Sequence, residues 1–138
     1  MDPEKIKRAF ERLPYAKTLG IKPVFMGDET TLVLPFSKDN IGNPVLPALH
    51  GGALGGFLEM TAMMCVLMED DALKVPKTIG INIDFLRRGK PVDTFARAEL
   101  FKKGNRVANV RVTAWQESFD APIATMHGHF LMAAKDDS

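Results

Sequence analysis

The sequence has one cysteine, almost no net charge and no apolar run long enough to span a bilayer, and each shortage closes off a class of protein. The single Cys65 excludes an intramolecular disulfide, so the fold must rest on its core. Eighteen basic residues against seventeen acidic ones leave a net charge of +1. No global field therefore points to nucleic acid or to an anionic membrane surface, and any anion site must be local. The most apolar stretch, Ala53 to Met68, is shorter than the roughly 20 residues of a membrane span, and Glu59 interrupts it. The opening residues, MDPEKIKRAF, are charged and lack the apolar centre of a secretory signal. Repeats, low-complexity tracts and linker-like segments are missing as well. What remains is an ordinary soluble composition, 46% apolar and 25% charged over 138 residues. It predicts a single domain over 1–138 and a cytoplasmic protein.

Local signals order the chain. Asp2 and Pro3 mark a helix start, Ile6, Phe10 and Leu13 share one face, and Pro14 predicts its end. Gly20 to Phe36 reads as two short strands around a Gly-Asp turn, and Pro35 to Leu49, with three prolines, as a loop. A long apolar helix follows to about Met68. The second half is strand-like: Ile79, Ile81, Ile83 and Phe85 alternate on one face, and the rest divides at KKGNR and SFDAP, the turns of an antiparallel meander. Strands segregated from one buried helix predict an α+β domain.

The central helix carries the unusual residues. LPALHGGALGGFLEMTAMM holds four glycines and one glutamate in an otherwise apolar run. Glycine costs a helix interior about 1 kcal/mol relative to alanine, and a buried carboxylate costs more unless something engages it. Steps of three, four and seven residues from Glu59 land on Gly56, Gly55, Gly52, Ala62 and Met63, a stripe of mostly small side chains. Leu54, Phe57, Leu58, Thr61 and Cys65 take the rest of the wheel, suited to packing on a sheet. Such a stripe serves either close packing on the chain's own sheet or approach of a second copy of the helix. Gly52 stands at the helix start, where first-turn N–H groups and the positive dipole end hold a developing oxyanion. Glu59 lies about 10 Å further along the axis, too far for one carbonyl to touch both. An antiparallel two-fold partner crossing at Gly55–Gly56 would bring Glu59 of one subunit to Gly52 of the other, which predicts a homodimer through its central helices with two shared sites.

HGG opening a buried helix, an acidic residue nine positions after that histidine, and a meander beginning TIGINIDFLRRGKP together resemble the hotdog-fold acyl-CoA thioesterases of the phenylacetate-degradation and 4-hydroxybenzoyl-CoA type. The resemblance spans roughly residues 14 to 133. It implies a hotdog fold, an antiparallel sheet wrapped around one long central helix with a short N-terminal helix before it. It also implies dimers, often paired into tetramers, and hydrolysis of an aromatic or medium-chain acyl-CoA to free CoA and a carboxylic acid, coenzyme A entering as part of the substrate. Neither a metal nor a separate cofactor is expected, and nucleic acid and membrane are not expected partners. By position, Glu59 matches the catalytic carboxylate, acting as nucleophile or as general base. The N–H of Gly52, with Gly51, matches the oxyanion donor, and His50 the histidine at the helix start. Thr78 falls where some members carry a hydroxyl that orients water. The family often has asparagine six residues before the histidine; Pro44 stands there, and Asn43, seven before, fits with a loop one residue longer. Arg87, Arg88 and Lys90 fall where the family often binds CoA phosphates, and Lys102, Lys103 and Arg106 form a second basic cluster.

Plainer readings stand beside these. His50 suits a structural hydrogen bond as well as a direct role, and both basic clusters could be solubilising turns. Cys65 reads as a small core residue, and Met60, Met63, Met64 and Met68 as core or as an adaptable acyl pocket. His127 and His129 share a strand face without a third metal ligand at suitable spacing. Two rival functions are a hotdog hydroxyacyl-thioester dehydratase, suggested by NPVLPALHGG with Asn43 where that group has its histidine, and a non-catalytic acyl-CoA-binding module.

Overall fold

The computed structural model describes residues 3–24, 30–36, 51–69, 73–103 and 105–132. Three helices and six strands run in the order α1 (Pro3–Glu11), α2 (Pro14–Leu19), β1 (Lys22–Val24), β2 (Thr30–Leu34), α3 (Gly51–Leu67), β3 (Lys77–Phe85), β4 (Thr94–Lys103), β5 (Val107–Trp115) and β6 (Ala124–Leu131). The strands form one antiparallel sheet in the order β1-β2-β4-β5-β6-β3. After β2 the chain crosses the sheet through α3, lays β3 down on the far edge, and returns to place β4 beside β2. This is the α+β hotdog architecture, with α3 as the enclosed helix.

The start of the chain differs in one respect from the sequence reading. Pro14 both ends the first helix and begins another. Its fixed φ and missing N–H suit the first position of a helix as well as they forbid an interior one. Helix α2 then stops at Gly20, whose φ of 76° places it in the left-handed region, and the N–H of Gly20 and of Ile21 close on Lys17 and Ala16 carbonyls. The Lys5 ammonium donates to the Met68 carbonyl at 2.9 Å, tying α1 to the end of α3.

The core is a division of volume between helix and sheet. Helix α3 supplies the bulk through Leu54, Phe57, Leu58, Met64 and Leu67, all buried. Opposite them the sheet presents Ala96, Ala98, Ala108, Ala114 and Ala124, with Val110, Val112, Met126 and Phe130. Alanines on the facing strands let the sheet close around the helix at native packing density. Thr61, buried among these groups, donates its hydroxyl to the Phe57 carbonyl one turn back at 2.8 Å, so no polar group is stranded there. Cys65 is buried in the same core, as are Met60 and Met64.

Strand β3 departs from strict alternation. Thr78 pairs with Phe130, but Gly80 pairs with His129, so Ile79 is an extra residue with no partner of its own. This β-bulge puts Thr78, Ile81, Ile83 and Phe85 on the helix side and Gly80, Asn82 and Asp84 on the outer side. Ile79 itself is 58% exposed. A second bulge falls between Leu100 and Lys102 on β4.

Gly128 of β6 shows how tightly the wrapped face is filled. A Cβ there would lie 2.6 Å from the Phe130 ring, which is fully buried and has nowhere to move. Gly128→Ala is expected to destabilise the fold by about 1–3 kcal/mol, read as a lower denaturation midpoint with an unchanged slope.

Candidate active site

One stripe of α3 escapes the sheet. Leu54, Phe57, Leu58, Thr61 and Cys65 are buried as expected, whereas Gly51 and Gly52 are exposed and Gly55, Gly56, Glu59 and Met63 are half-buried. The helix is therefore enclosed on three sides and open on the fourth, and the carboxylate stands on the open one. At 100° per residue, Gly52, Glu59 and Met63 fall within about 40° of one another, with Gly55 to one side and Gly56 to the other.

Strand β3 walls one side of this stripe. The Thr78 hydroxyl donates to Glu59 Oε2 at 2.7 Å, a charge-assisted bond of ordinary strength for a carboxylate acceptor. The bulge at Ile79 makes the bond possible. Under unbroken alternation Thr78 would share the outer face with Gly80 and Asn82, away from the helix. The extra residue turns it inward across from Phe130. With Oε2 so held, Oε1 has no hydrogen-bond donor among the described residues. Further along, Ile83 Cδ1 stands 3.4 Å from where a Cβ on Gly55 would be.

The other wall is Tyr15 of α2, which the sequence reading did not select. Its ring approaches Gly56 so closely that a Cβ there would meet Cε2 at 2.7 Å and the phenol oxygen at 3.0 Å. Within one chain the near neighbours of the thin middle of the helix are thus Tyr15 at Gly56 and Ile83 at Gly55, while both glycines stay half-buried. A glycine inside a helix, with no turn to explain it, was the available signal that something packs there.

Of the other sequence candidates, Gly51 and Gly52 open α3 at the helix entrance, about 10 Å from Glu59 by helix rise. His50 and Asn43 lie outside the described residues. The basic residues separate into two groups at opposite ends of the sheet. Arg87, Arg88 and Lys90 follow β3 and line a hollow of about 260 Å³ with Gln116, Glu117, Ala121 and Ile123. There the Lys90 ammonium already pairs with Glu117 at 3.0 Å, and Gln116 bonds both the N–H and the carbonyl of Lys90 at 2.9 Å. Lys102 and Lys103 end β4, and Arg106 precedes β5, in the row of strand ends that includes Thr78 and Phe130. Thr78 pairs with Phe130 and Phe85 with Ala124, six residues apart on β6, about 20 Å at a strand's rise. One chain therefore does not gather both clusters around one ligand.

His127 and His129 lie on the outer face of β6 with ring centroids 4.9 Å apart. Among the described residues no group of three His, Cys, Asp or Glu side chains gathers to hold a metal. Nor is any helix there long and apolar enough to cross a membrane.

A family profile described as the thioesterase superfamily matches residues 46–123, the span that holds α3, the Glu59–Thr78 pair and most of the meander. The chain belongs to the thioesterase superfamily. Among solved structures it is similar to a Chromobacterium violaceum protein at 34% identity, covering 96% of this chain and 95% of that one with a TM-score of 0.75. A Pseudomonas aeruginosa protein matches at 26% identity over 94% and 98% of the two chains, with a TM-score of 0.81. A phenylacetic acid degradation-related protein of Ralstonia eutropha JMP134 shares the fold at 22% identity, over 93% and 99% of the two chains, with a TM-score of 0.78. No protein of curated function matches significantly. Thioester hydrolysis is the activity class that this membership supports.

Cys65 takes no part in such chemistry. Burial, with smaller contributions from the carboxylates of Glu69 and Glu99, pushes its thiol pKa up to about 12. The reactive species of a cysteine is the thiolate, and a pKa raised this far leaves almost none of it near neutral pH. At pH 8 the folded protein is expected to leave a disulfide reagent such as dithionitrobenzoate unreacted over the minutes in which the denatured protein releases one equivalent of thiolate.

Proposed function

We propose that the protein hydrolyses acyl-CoA thioesters at Glu59, and the Thr78–Glu59 hydrogen bond is the observation that carries the reading. A half-buried carboxylate costs stability unless it is engaged. Here it is held by one oxygen, on the open stripe of the only long helix described, two turns from that helix's N-terminus. The reaction needs these parts. Water adds to the thioester carbon while Glu59 takes its proton, or Glu59 attacks first and water cleaves the resulting anhydride. Charge gathers on the carbonyl oxygen, which a backbone N–H at Gly52 would hold, with Gly51 beside it. By the first route the C–S bond then breaks and the departing thiolate takes up the proton held by Glu59. By the second the C–S bond breaks as the anhydride forms, and the water that opens the anhydride supplies the proton the thiolate takes up.

Both ends of this machinery cannot come from one helix, because about 10 Å of rise separates Gly52 from Glu59. A two-fold partner with its central helix antiparallel supplies the missing end. The same operation carries the partner's Arg87–Lys90 segment toward the Thr78 end of the first chain, where Lys102, Lys103 and Arg106 lie, so the two basic clusters would meet around one CoA phosphate tail only in a dimer. Strand β3 supports such a contact: among the described residues β6 is its only strand neighbour, and Phe85 and Leu86 beside its free edge are more than half exposed. Pairing of dimers into tetramers, and roles for His50 and Asn43, belong to the same reading. The acyl group, aromatic or medium-chain, would lie over the stripe near Met63.

Thiol release from a panel of acyl-CoAs tests the activity. Wild-type protein is expected to release CoA from at least one member, and Glu59→Gln to lower kcat by about 10²–10⁴-fold with the melting temperature preserved. Release from none, or an undiminished Glu59→Gln variant, would end the assignment. Thr78→Val, which keeps the shape and removes the donor, is expected to lower kcat/KM by about tenfold to a hundredfold, while Thr78→Ser retains most of it. Equal losses in both variants would show that the hydroxyl is not what matters.

A further inference from the structure

Resting on that reading of Glu59, we infer that Tyr15 sets how bulky an acyl group the site accepts. The observation is the contact between its ring and Gly56. Gly56 is three residues before Glu59, so Tyr15 stands about 4.5 Å of helix rise from the carboxylate that this chain contributes to the shared site. Its ring lies on the side of the stripe opposite Thr78 and Ile83. On the proposed reading the carbonyl and the first atoms of its acyl group meet Glu59 on this stripe, with Tyr15 and β3 at its two sides. Tyr15 is 47% exposed. All three nearest neighbours of a Cβ built on Gly56 are Tyr15 atoms. The glycine is what allows the ring to lie down against the helix, and the ring in turn sets the width left beside Glu59.

A ring in this place discriminates by exclusion. Acyl groups that are slim at the carbons next to the carbonyl, such as acetyl and straight chains, pass between Tyr15 and β3. Groups that are broad there, such as benzoyl, must displace the ring. A hydrophobic wall of this size separates substrates by roughly ten- to two-hundredfold per misfit group.

The test compares acetyl-CoA, hexanoyl-CoA and benzoyl-CoA with wild type, Tyr15→Ala and Tyr15→Phe. Tyr15→Ala is expected to raise the benzoyl-to-acetyl ratio of kcat/KM about tenfold, and Tyr15→Phe, which keeps the ring, to hold it within about twofold. An unchanged ratio in Tyr15→Ala, or the same change in Tyr15→Phe, overturns the inference. Binding of the non-hydrolysable thioethers S-benzyl-CoA and S-ethyl-CoA, followed by calorimetry, separates this claim from the one on which it rests. If wild type hydrolyses nothing but binds both thioethers, the Kd ratio must shift in the same direction in Tyr15→Ala and hold in Tyr15→Phe for the inference to stand. If it binds neither, both readings fall. A folding control needs no substrate. Gly56→Ala should lower the melting temperature in wild type, and by less than half as much in a Tyr15→Ala background. Equal losses in the two backgrounds would show that the ring does not rest on Gly56 in solution, and would overturn the inference as well.

Discussion

A carboxylate can sit on an otherwise apolar helix only if the helix is enclosed on most sides and left open on one. That constraint organises the structure. The sheet meets the large side chains of α3 with rows of alanine and so closes around three sides. The fourth side keeps residues too small to fill space, and Glu59 stands among them. Enclosure supplies the apolar burial that stabilises the domain, and the opening keeps the charge within reach of a ligand. Neither could be moved to another face of α3 without putting Glu59 among the alanines or Phe57 in water.

The second determinant is a single extra residue. A β-strand has a period of two, so inserting Ile79 reverses the side on which every preceding residue of β3 projects. The partners beyond the bulge stay where the alternation of Ile81, Ile83 and Phe85 puts them, while Thr78 turns inward to Glu59. A local defect in the ladder thus sets which residue of β3 meets Glu59. Among the described residues the edge of β3 away from β6 has no strand neighbour, and Phe85 and Leu86 beside it are exposed.

Most of the architecture was legible because it follows from periodicity. Alternation of Ile81, Ile83 and Phe85 marked β3, the turns KKGNR and SFDAP divided the strands after it, and a helix apolar on every turn had to be the enclosed element. Glu59 was legible because it contradicts its surroundings. Thr78 reached the site through family resemblance rather than pattern, since strict alternation sends it to the wrong face. The glycine at position 80, inside a strand, was the local cue for the bulge. Helix α2 was missed because proline was read only as a terminator. Tyr15 was missed with it, for nothing in a linear pattern says which distant ring will rest on a helical glycine. The two basic clusters stand toward the two ends of β4, whose ten residues carry them to opposite ends of the sheet, whereas the crossover that sends β3 to the far edge cannot be read from spacing.

The alanine lining has a further consequence for how such a domain can change over time. A surface of methyl groups recognises the girth of a helix and little else, so it constrains the inner positions of α3 and is indifferent to the outer ones. Substitutions on the open stripe meet Tyr15, Ile83 and Thr78 but leave the enclosed side chains in place. New reactivity can therefore be explored on the exposed quarter of the helix while three quarters of it hold the domain folded. Stability and innovation are assigned to different faces of the same seventeen residues.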